Sequence, residues 1–300
     1  MIYAAIDIGT NTIDLLIAKV QGNSLYQLKK EKQWVGIGTD FYPHCSIKEA
    51  SIKRLLTCLS NYQRCILEFS VESVLCFGTS ALRDATNGKE VCQLVKEELG
   101  MDIQIISGTD EAQIVYSGIR GFENLPEDAL IMDIGGGSTE IIHIKQGLIE
   151  TTESLNIGVT RLRAAIGNID QLLPQHIHQI ERIFEAEWKL GKFNIPCLIG
   201  ASGAFESFFF LIKQKQIQDN SLAKCSFVDL KKLLNQLIAT KKLDREALIG
   251  IPEARKEYIH LAALQVKWLI EKLKINIVFI TNNNLCEGMI MQAAYFGRLD

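Results

Sequence analysis

The sequence predicts an α/β protein in which one fold is used twice, with a ligand held between the copies. Three observations carry this. Short apolar strands alternate with amphipathic helical stretches along the chain. A strand–turn–strand motif near the N-terminus recurs near the middle. A length of 300 residues suits two cores better than one.

The recurring motif comes first. Ala5-Ile6-Asp7-Ile8-Gly9-Thr10-Asn11-Thr12-Ile13-Asp14-Leu15-Leu16-Ile17 resembles Ile131-Met132-Asp133-Ile134-Gly135-Gly136-Gly137-Ser138-Thr139-Glu140-Ile141-Ile142-His143. Each runs from an apolar strand through Asp-Ile-Gly and a small polar turn to an acidic residue and a second β-branched strand. Asp7 and Asp14 share the spacing of Asp133 and Glu140.

The elements between and after follow from local signals. Ser46 with Glu49 reads as a capping box opening an amphipathic helix to about Phe69. Val74–Phe77 is a short buried strand, followed by the turn Gly78-Thr79-Ser80. A helix near Lys89–Leu99 stops at Gly100, Ile103–Ile106 is a strand, and Asp110–Gly118 a helix. The domain boundary falls around Gly121–Pro126, giving lobes of residues 1–122 and 123–300, and the last helix can pack back on the first lobe. In the second lobe a hairpin of Ala129–Ile144 leads to Leu148–Leu155. Helices follow near Val159–Ile166 and Pro174–Lys189. Strand Cys197–Ile199 enters Gly200-Ala201-Ser202-Gly203 and a helix through Phe210. Helices at Val228–Thr240 and Pro252–Leu273, strand Ile277–Ile280 and helix Leu285–Phe296 complete the chain.

Composition narrows the function. A net charge of −3 provides no general cationic field, so nucleic acid and acidic membranes are not expected partners. The 8 cysteines are scattered without a C-x-x-C or Cys/His cluster, which argues against zinc and dithiol chemistry and for reduced, buried thiols. The N-terminal segment has no basic region or cleavage site of a secretory signal, and no apolar run approaches a membrane span of ~20 residues. A cytoplasmic location is expected.

The candidate site residues sit in turns. Gly135, Gly136, Gly137 and Ser138 let the backbone approach a ligand and adopt positive φ, so that successive N–H groups form an anion nest. The alternative is a plain glycine hairpin, and the strand that follows excludes a Walker A loop. Asp133 and Glu140 flank the turn and can share a hydrated cation. Asp7, Gly9, Thr10, Asn11 and Thr12 form the matching turn, which can equally be a tight hairpin with Asn11 left-handed. Gly200, Ser202 and Gly203 lie at a strand-to-helix junction, where helix amides favour anions, although many α/β turns read this way. Arg83 follows a strand end and suits bidentate phosphate contact; a solvated or ion-paired helix residue reads the same. Glu111 lies in a helix's first turn, where a carboxylate also complements the dipole. His176 and His178 face different sides of a helix and make no metal pattern. Phe208–Leu211 reads as core.

Taken together, Asp7–Thr12, Thr79–Asn87, Ile105–Ala112, Ile131–Glu140, Leu155–Leu162 and Gly200–Gly203 resemble, in order, the motifs of the exopolyphosphatase / guanosine pentaphosphate phosphohydrolase (Ppx/GppA) family. That family belongs to the sugar kinase / heat-shock chaperone / actin superfamily. The pair Thr79-Ser80-Ala81-Leu82-Arg83-Asp84-Ala85 and Ser107-Gly108-Thr109-Asp110-Glu111-Ala112 separates it from the kinases and chaperones, which share only the glycine turns. The resemblance implies two actin-like (ribonuclease H-like) lobes with a cleft between them. It implies hydrolysis of terminal phosphoanhydrides, with Glu111 as catalytic base and Mg²⁺ at Asp133 and Glu140. Phosphate contacts fall to Arg83, the Asp7–Thr12 turn, Gly135–Ser138 and the Gly200–Gly203 turn. Inorganic polyphosphate or guanosine pentaphosphate is the implied substrate and a homodimer the implied assembly. A short form without C-terminal helical domains, lacking a long enclosed polyphosphate channel, is also implied.

The chain departs from the family pattern in three places. Asn156 stands where proline is usual and Ala262 where glycine is common. The run Ser-Asp-x-Gly-Leu-Arg-Glu-Gly becomes Thr281-Asn282-Asn283-Asn284-Leu285-Cys286-Glu287-Gly288. A phosphotransferase of the same superfamily and a non-catalytic alarmone or nucleotide sensor are the alternative functions.

Overall fold

Strand β1 (Ile2–Ile8) is apolar on both faces because it lies inside a sheet. The structure, a computed structural model, describes residues 1–22, 24–39, 41–42, 44–191 and 194–296. From β1 the chain turns into β2 (Thr12–Gln21) and β3 (Ser24–Trp34), an antiparallel meander. Helix α1 (Glu49–Leu67) leads to β4 (Ser73–Gly78), α2 (Ser80–Asp84), α3 (Gly88–Leu99), β5 (Gln104–Ile105) and α4 (Gly108–Ile119). The five-stranded sheet has the order β3-β2-β1-β4-β5, with β4 parallel to β1 and β5 parallel to β4.

A second unit, Phe122–Asn282, repeats this plan. Strands β6 (Asp128–Ile134), β7 (Thr139–Lys145) and β8 (Leu148–Leu155) form its meander. Helices α5 (Val159–Ile166) and α6 (Pro174–Glu187) precede β9 (Cys197–Gly200), which runs parallel to β6, and α7 (Gly203–Lys213). Then come β10 (Ala223–Cys225), α8 (Phe227–Ala239), α9 (Lys242–Glu246), α10 (Glu253–Lys256), α11 (Ile259–Leu273) and β11 (Ile277–Ile280). The six-stranded order is β10-β11-β9-β6-β7-β8. Both units are therefore actin-like lobes: a meander whose first strand is continued by parallel strands.

The first unit comprises Met1–Gly121 and the segment from Asn283 through α12 (Leu285–Phe296). Helix α12 packs on α4, β1 and β2, and the helices touch at two glycines. A Cβ on Gly118 would lie 2.8 Å from Gly288 N, and one on Gly288 would lie 1.8 Å from Ile114 O. Each unit has its own core, Phe205, Phe208 and Phe209 belonging to the second.

Several local expectations are corrected. The Ser46/Glu49 capping box does not form: α1 begins at Glu49 with Lys48 as N-cap, and no side chain caps it. Instead Asn87 clamps the entry, its Oδ1 accepting from Ile47 N at 2.9 Å and its Nδ2 donating to Ile47 O at 2.9 Å. The helix expected over Pro252–Leu273 is two, α10 ending at Lys256 and α11 starting at Ile259, with Tyr258 (φ −113, ψ −12) as the N-cap of the second. Strand β3, rich in lysine and lacking alternation, was not expected. The thiols are free, and burial pushes Cys58, Cys197 and Cys225 up to about 11.

Candidate active site

The two repeated turns have the same internal geometry. Gly9 N donates to Thr12 O at 3.0 Å, and Gly135 N donates to Ser138 O at 3.0 Å. Asp7 pairs with Asp14 across β1 and β2, and Asp133 with Glu140 across β6 and β7. Even the irregularity repeats: the register slips at Ile17/Ala18 and at His143/Ile144, the same step past Asp14 and Glu140.

The expected positive φ is absent: neither Asn11 nor Gly135, Gly136 or Gly137 is left-handed. The close approach is made by Gly158. Gly158 sits against the turn so tightly that a Cβ there would lie 2.4 Å from Gly136 C, Gly136 O and Gly137 C. Its neighbours hold the turn from behind. Val159 N donates to Gly135 O at 3.0 Å, Thr160 N to Gly136 O at 2.8 Å, and Arg161 Nε to Gly137 O at 2.9 Å. The start of α5 thus consumes the turn's carbonyls. The N–H groups of Gly136, Gly137 and Ser138 have no acceptor among the described residues. Backbone amides presented in succession attract anions.

The first turn is braced likewise. Val35 N and Gly36 N donate to Asn11 O at 3.0 and 2.8 Å, and Gly38 N to Thr10 O at 2.8 Å. The hydroxyls of Thr10 and Ser80, both almost wholly buried, find no hydrogen-bond partner among the described residues. A buried polar atom in that state is one that a bound water or anion satisfies.

Arg83 and Glu111 meet in the first unit. Short α2 delivers Arg83, and α4 delivers Glu111 behind its N-cap Ser107, whose Oγ accepts from Asp110 N at 3.1 Å. Arg83 Nη1 lies 3.0 Å from Glu111 Oε2 and donates also to Ile106 O at 3.0 Å. Glu111 is thereby fixed in orientation. Nε and Nη2 of Arg83 have no acceptor among the described residues, so one edge of the guanidinium remains for an anion.

The acidic pairs differ in their third member. Across β2 and β3 Asp14 faces Lys32, whose Nζ is 2.6 Å from Asp14 Oδ2. Across β7 and β8 Glu140 faces Ser154, whose Oγ donates to Glu140 Oε1 at 2.8 Å. Glu140 is 2% exposed. No group of three or more His, Cys, Asp or Glu residues that could hold a metal ion occurs among the described residues. Two neighbouring carboxylates do fit Mg²⁺, which keeps several waters and takes only one or two protein carboxylates.

The third turn carries a clamp. Arg255 Nη1 donates to Gly203 O and, at 2.9 Å, to Ser207 Oγ, with Glu206 Oε2 at 3.6 Å. A Cβ on Gly203 would lie 2.2 Å from Arg255 Nη2, so glycine makes room for the arginine. Ser202 is the N-cap of α7 without a side-chain cap bond, and its Oγ has no partner among the described residues.

The family model described as the Ppx/GppA phosphatase family matches residues 16–295. The chain belongs to the Ppx/GppA phosphatase family. It is 29% identical over 96% of its length to the bifunctional 3-dehydroquinate synthase/phosphatase of Fusobacterium nucleatum, covering 46% of that protein. It is 26% identical over 96% of its length to the guanosine-5'-triphosphate,3'-diphosphate pyrophosphatase of Aeromonas salmonicida, covering 58%. The chain thus spans about half the length of the curated relatives it matches. An exopolyphosphatase crystal structure from Cytophaga hutchinsonii superposes with a TM-score of 0.90 at 26% identity, covering 97% of both chains.

Within this Ppx/GppA lobe pair, Asp7, Gly9, Thr10, Asn11, Thr12, Arg83 and Glu111 all lie in the first unit. Asp133, Gly135–Ser138, Glu140, Gly200, Ser202 and Gly203 lie in the second. Sequence reasoning singles out neither Lys32 nor Ser154, and it marks Gly158 and Arg161 only as part of the Leu155–Leu162 motif, without a role. Lys32 lies in β3, whose sequence has no alternation to signal a strand. Among the described residues no helix is long and apolar enough to cross a membrane.

Proposed function

We propose that this Ppx/GppA family member hydrolyses terminal phosphoanhydride bonds of inorganic polyphosphate or guanosine pentaphosphate, releasing orthophosphate. The observation that carries this is the turn at Gly136–Ser138. Its amides have no acceptor among the described residues, while the Gly136 and Gly137 carbonyls are tied to the start of α5, a cradle suited to phosphate oxygens. The names of the Aeromonas and Cytophaga relatives, a pentaphosphate pyrophosphatase and an exopolyphosphatase, support the substrate class.

Phosphoryl transfer asks a protein chiefly to position groups and balance charge. In the second unit the amides of Gly136–Ser138 are presented to phosphate oxygens, and in the first the outer edge of Arg83 is presented to an anion. Glu111, steadied by the inner edge of Arg83, orients a water molecule and accepts its proton. Asp133 and Glu140 would hold Mg²⁺, which would supply positive charge to balance that of a phosphoanhydride.

The test is phosphate release in the presence of Mg²⁺ from polyphosphates of graded length and from guanosine pentaphosphate, with ATP plus candidate acceptors as a control. Orthophosphate release from at least one oligophosphate is expected. Transfer to an acceptor in place of water, or tight binding of every substrate without turnover, refutes hydrolysis.

A further inference from the structure

Three parallel strands of the first sheet end side by side. Ile8 of β1 lies opposite Gly78 of β4, and Gly78 lies opposite Ile105 of β5. The turns that follow them open at one edge, the carboxyl end, where α/β sheets take their ligands. The turn after β1 carries Thr10, the one after β4 leads to Ser80 and Arg83, and the one after β5 leads to Glu111. Thr79 ties the first two together, its N and Oγ1 donating to Ile8 O at 3.2 and 3.3 Å.

The adjacent hydroxyls of Thr79 and Ser80 therefore differ in use. That of Thr79 is committed to Ile8 O. That of Ser80, a residue only 3% exposed, has no hydrogen-bond partner among the described residues, and the same holds for Thr10, also 3% exposed. A buried hydroxyl in that state is costly, so it marks a place where a ligand completes the bonding. Ser80 lies three residues before Arg83 on α2, a spacing at which side chains share a helix face. On that face Arg83 gives Nη1 to Glu111 and Ile106 O, and its Nε and Nη2 have no acceptor among the described residues.

We propose that Ser80 is a substrate-contacting residue: its hydroxyl, alongside that of Thr10, donates to oxygens of the phosphate received at the outer edge of Arg83. This rests on the reading of the chain as a phosphoanhydride hydrolase and adds to it a contact in the first unit. A hydroxyl differs from the amides and the guanidinium, which only donate. It can donate to a bare phosphate oxygen and accept from a protonated one. The same side chain thus serves the anhydride phosphate and the orthophosphate product. A contact made equally to both acts on KM rather than on kcat.

Ser80→Ala in the full chain tests this with two measurements. In a melt without phosphate, removing a buried hydroxyl that has no protein partner should leave Tm unchanged or raise it by ~2–4 °C. In phosphate-release kinetics, KM for the oligophosphate that the parent hydrolyses should rise ~10-fold or more, as for one lost hydrogen bond to a charged group. The inhibition constant of added orthophosphate should rise by a similar factor, with kcat nearly parental. A lowered Tm, or failure to fold, shows that the hydroxyl is bonded within the protein and overturns the proposal. Parental KM and parental inhibition by orthophosphate overturn it too, as does a fall in kcat at unchanged KM. A parent that releases orthophosphate from no oligophosphate refutes the hydrolase reading itself, and the substrate contact falls with it.

Discussion

Replacing Glu111 with Gln isolates the charge of one carboxylate from its shape. The parent side chain is largely buried and holds Oε2 3.0 Å from Arg83 Nη1. A glutamine carbonyl can accept the same hydrogen bond, so the fold loses only the difference between a charge-assisted and a neutral bond, about 1 kcal/mol. In a chain of this size that corresponds to a fall in Tm of ~2–4 °C. Loss of a general base costs far more, ~100- to 10,000-fold in turnover, or about 2.7–5.4 kcal/mol in barrier. The two effects are separable: phosphate release measures turnover, calorimetric titration measures substrate binding, and a melt measures stability. Turnover should collapse while binding and melting stay nearly parental. Turnover within tenfold of the parent refutes the assignment of Glu111. A matching loss of binding shows instead that the side chain is structural.

Three further outcomes follow from the packing. Gly158→Ala places a Cβ 2.4 Å from the backbone of the Gly136–Gly137 turn, which must move; a misplacement near 1 Å is expected to lower kcat/KM ~100-fold, read from phosphate-release kinetics. Gly288→Ala drives a Cβ to 1.8 Å from Ile114 O and should destabilise the first lobe by about 3 kcal/mol, visible as a separate early step in urea unfolding. Burial pushes the His260 imidazole down to about 3. The folded state therefore stays neutral where the unfolded chain takes up a proton, and stability is lost as pH falls from ~6.5 towards 3, by ~1.4 kcal/mol per pH unit. His260→Leu should lose that slope in urea titrations at pH 7, 6 and 5; a parental slope in the variant assigns the acid sensitivity to other groups.

What the sequence made legible was whatever rests on local signals. The apolar β1 and β6 announce central strands, and Gly100 ends α3 in the left-handed conformation as expected, at φ 65. Start signals were weaker evidence. Ser46 and Glu49 have the spacing of a capping box, yet the entry to α1 is held by Asn87, far along the chain. The break between α10 and α11 at Glu257 and Tyr258 falls within one continuous helical pattern and carries no glycine or proline to announce it. Edge strand β3 escaped notice because neither of its faces is consistently covered. The repeated turns form without the positive φ expected of them, and the close backbone approach is made at Gly158, which packs on the Gly136–Gly137 backbone. The Arg83–Glu111 contact joins residues from two helices, and no spacing rule connects them.

Helix α12 has a temporal consequence. It belongs to the first lobe but is specified after the whole of the second, roughly 160 residues later. At a translation rate of ~5–20 residues per second the nascent first lobe waits on the order of 10–30 s for the piece that covers Ala5 and Asp14. The second lobe is contiguous and needs no such wait, so it can mature on the ribosome before the lobe that precedes it. Interrupted synthesis would then leave the earlier half incomplete and adhesive, and the later half sound.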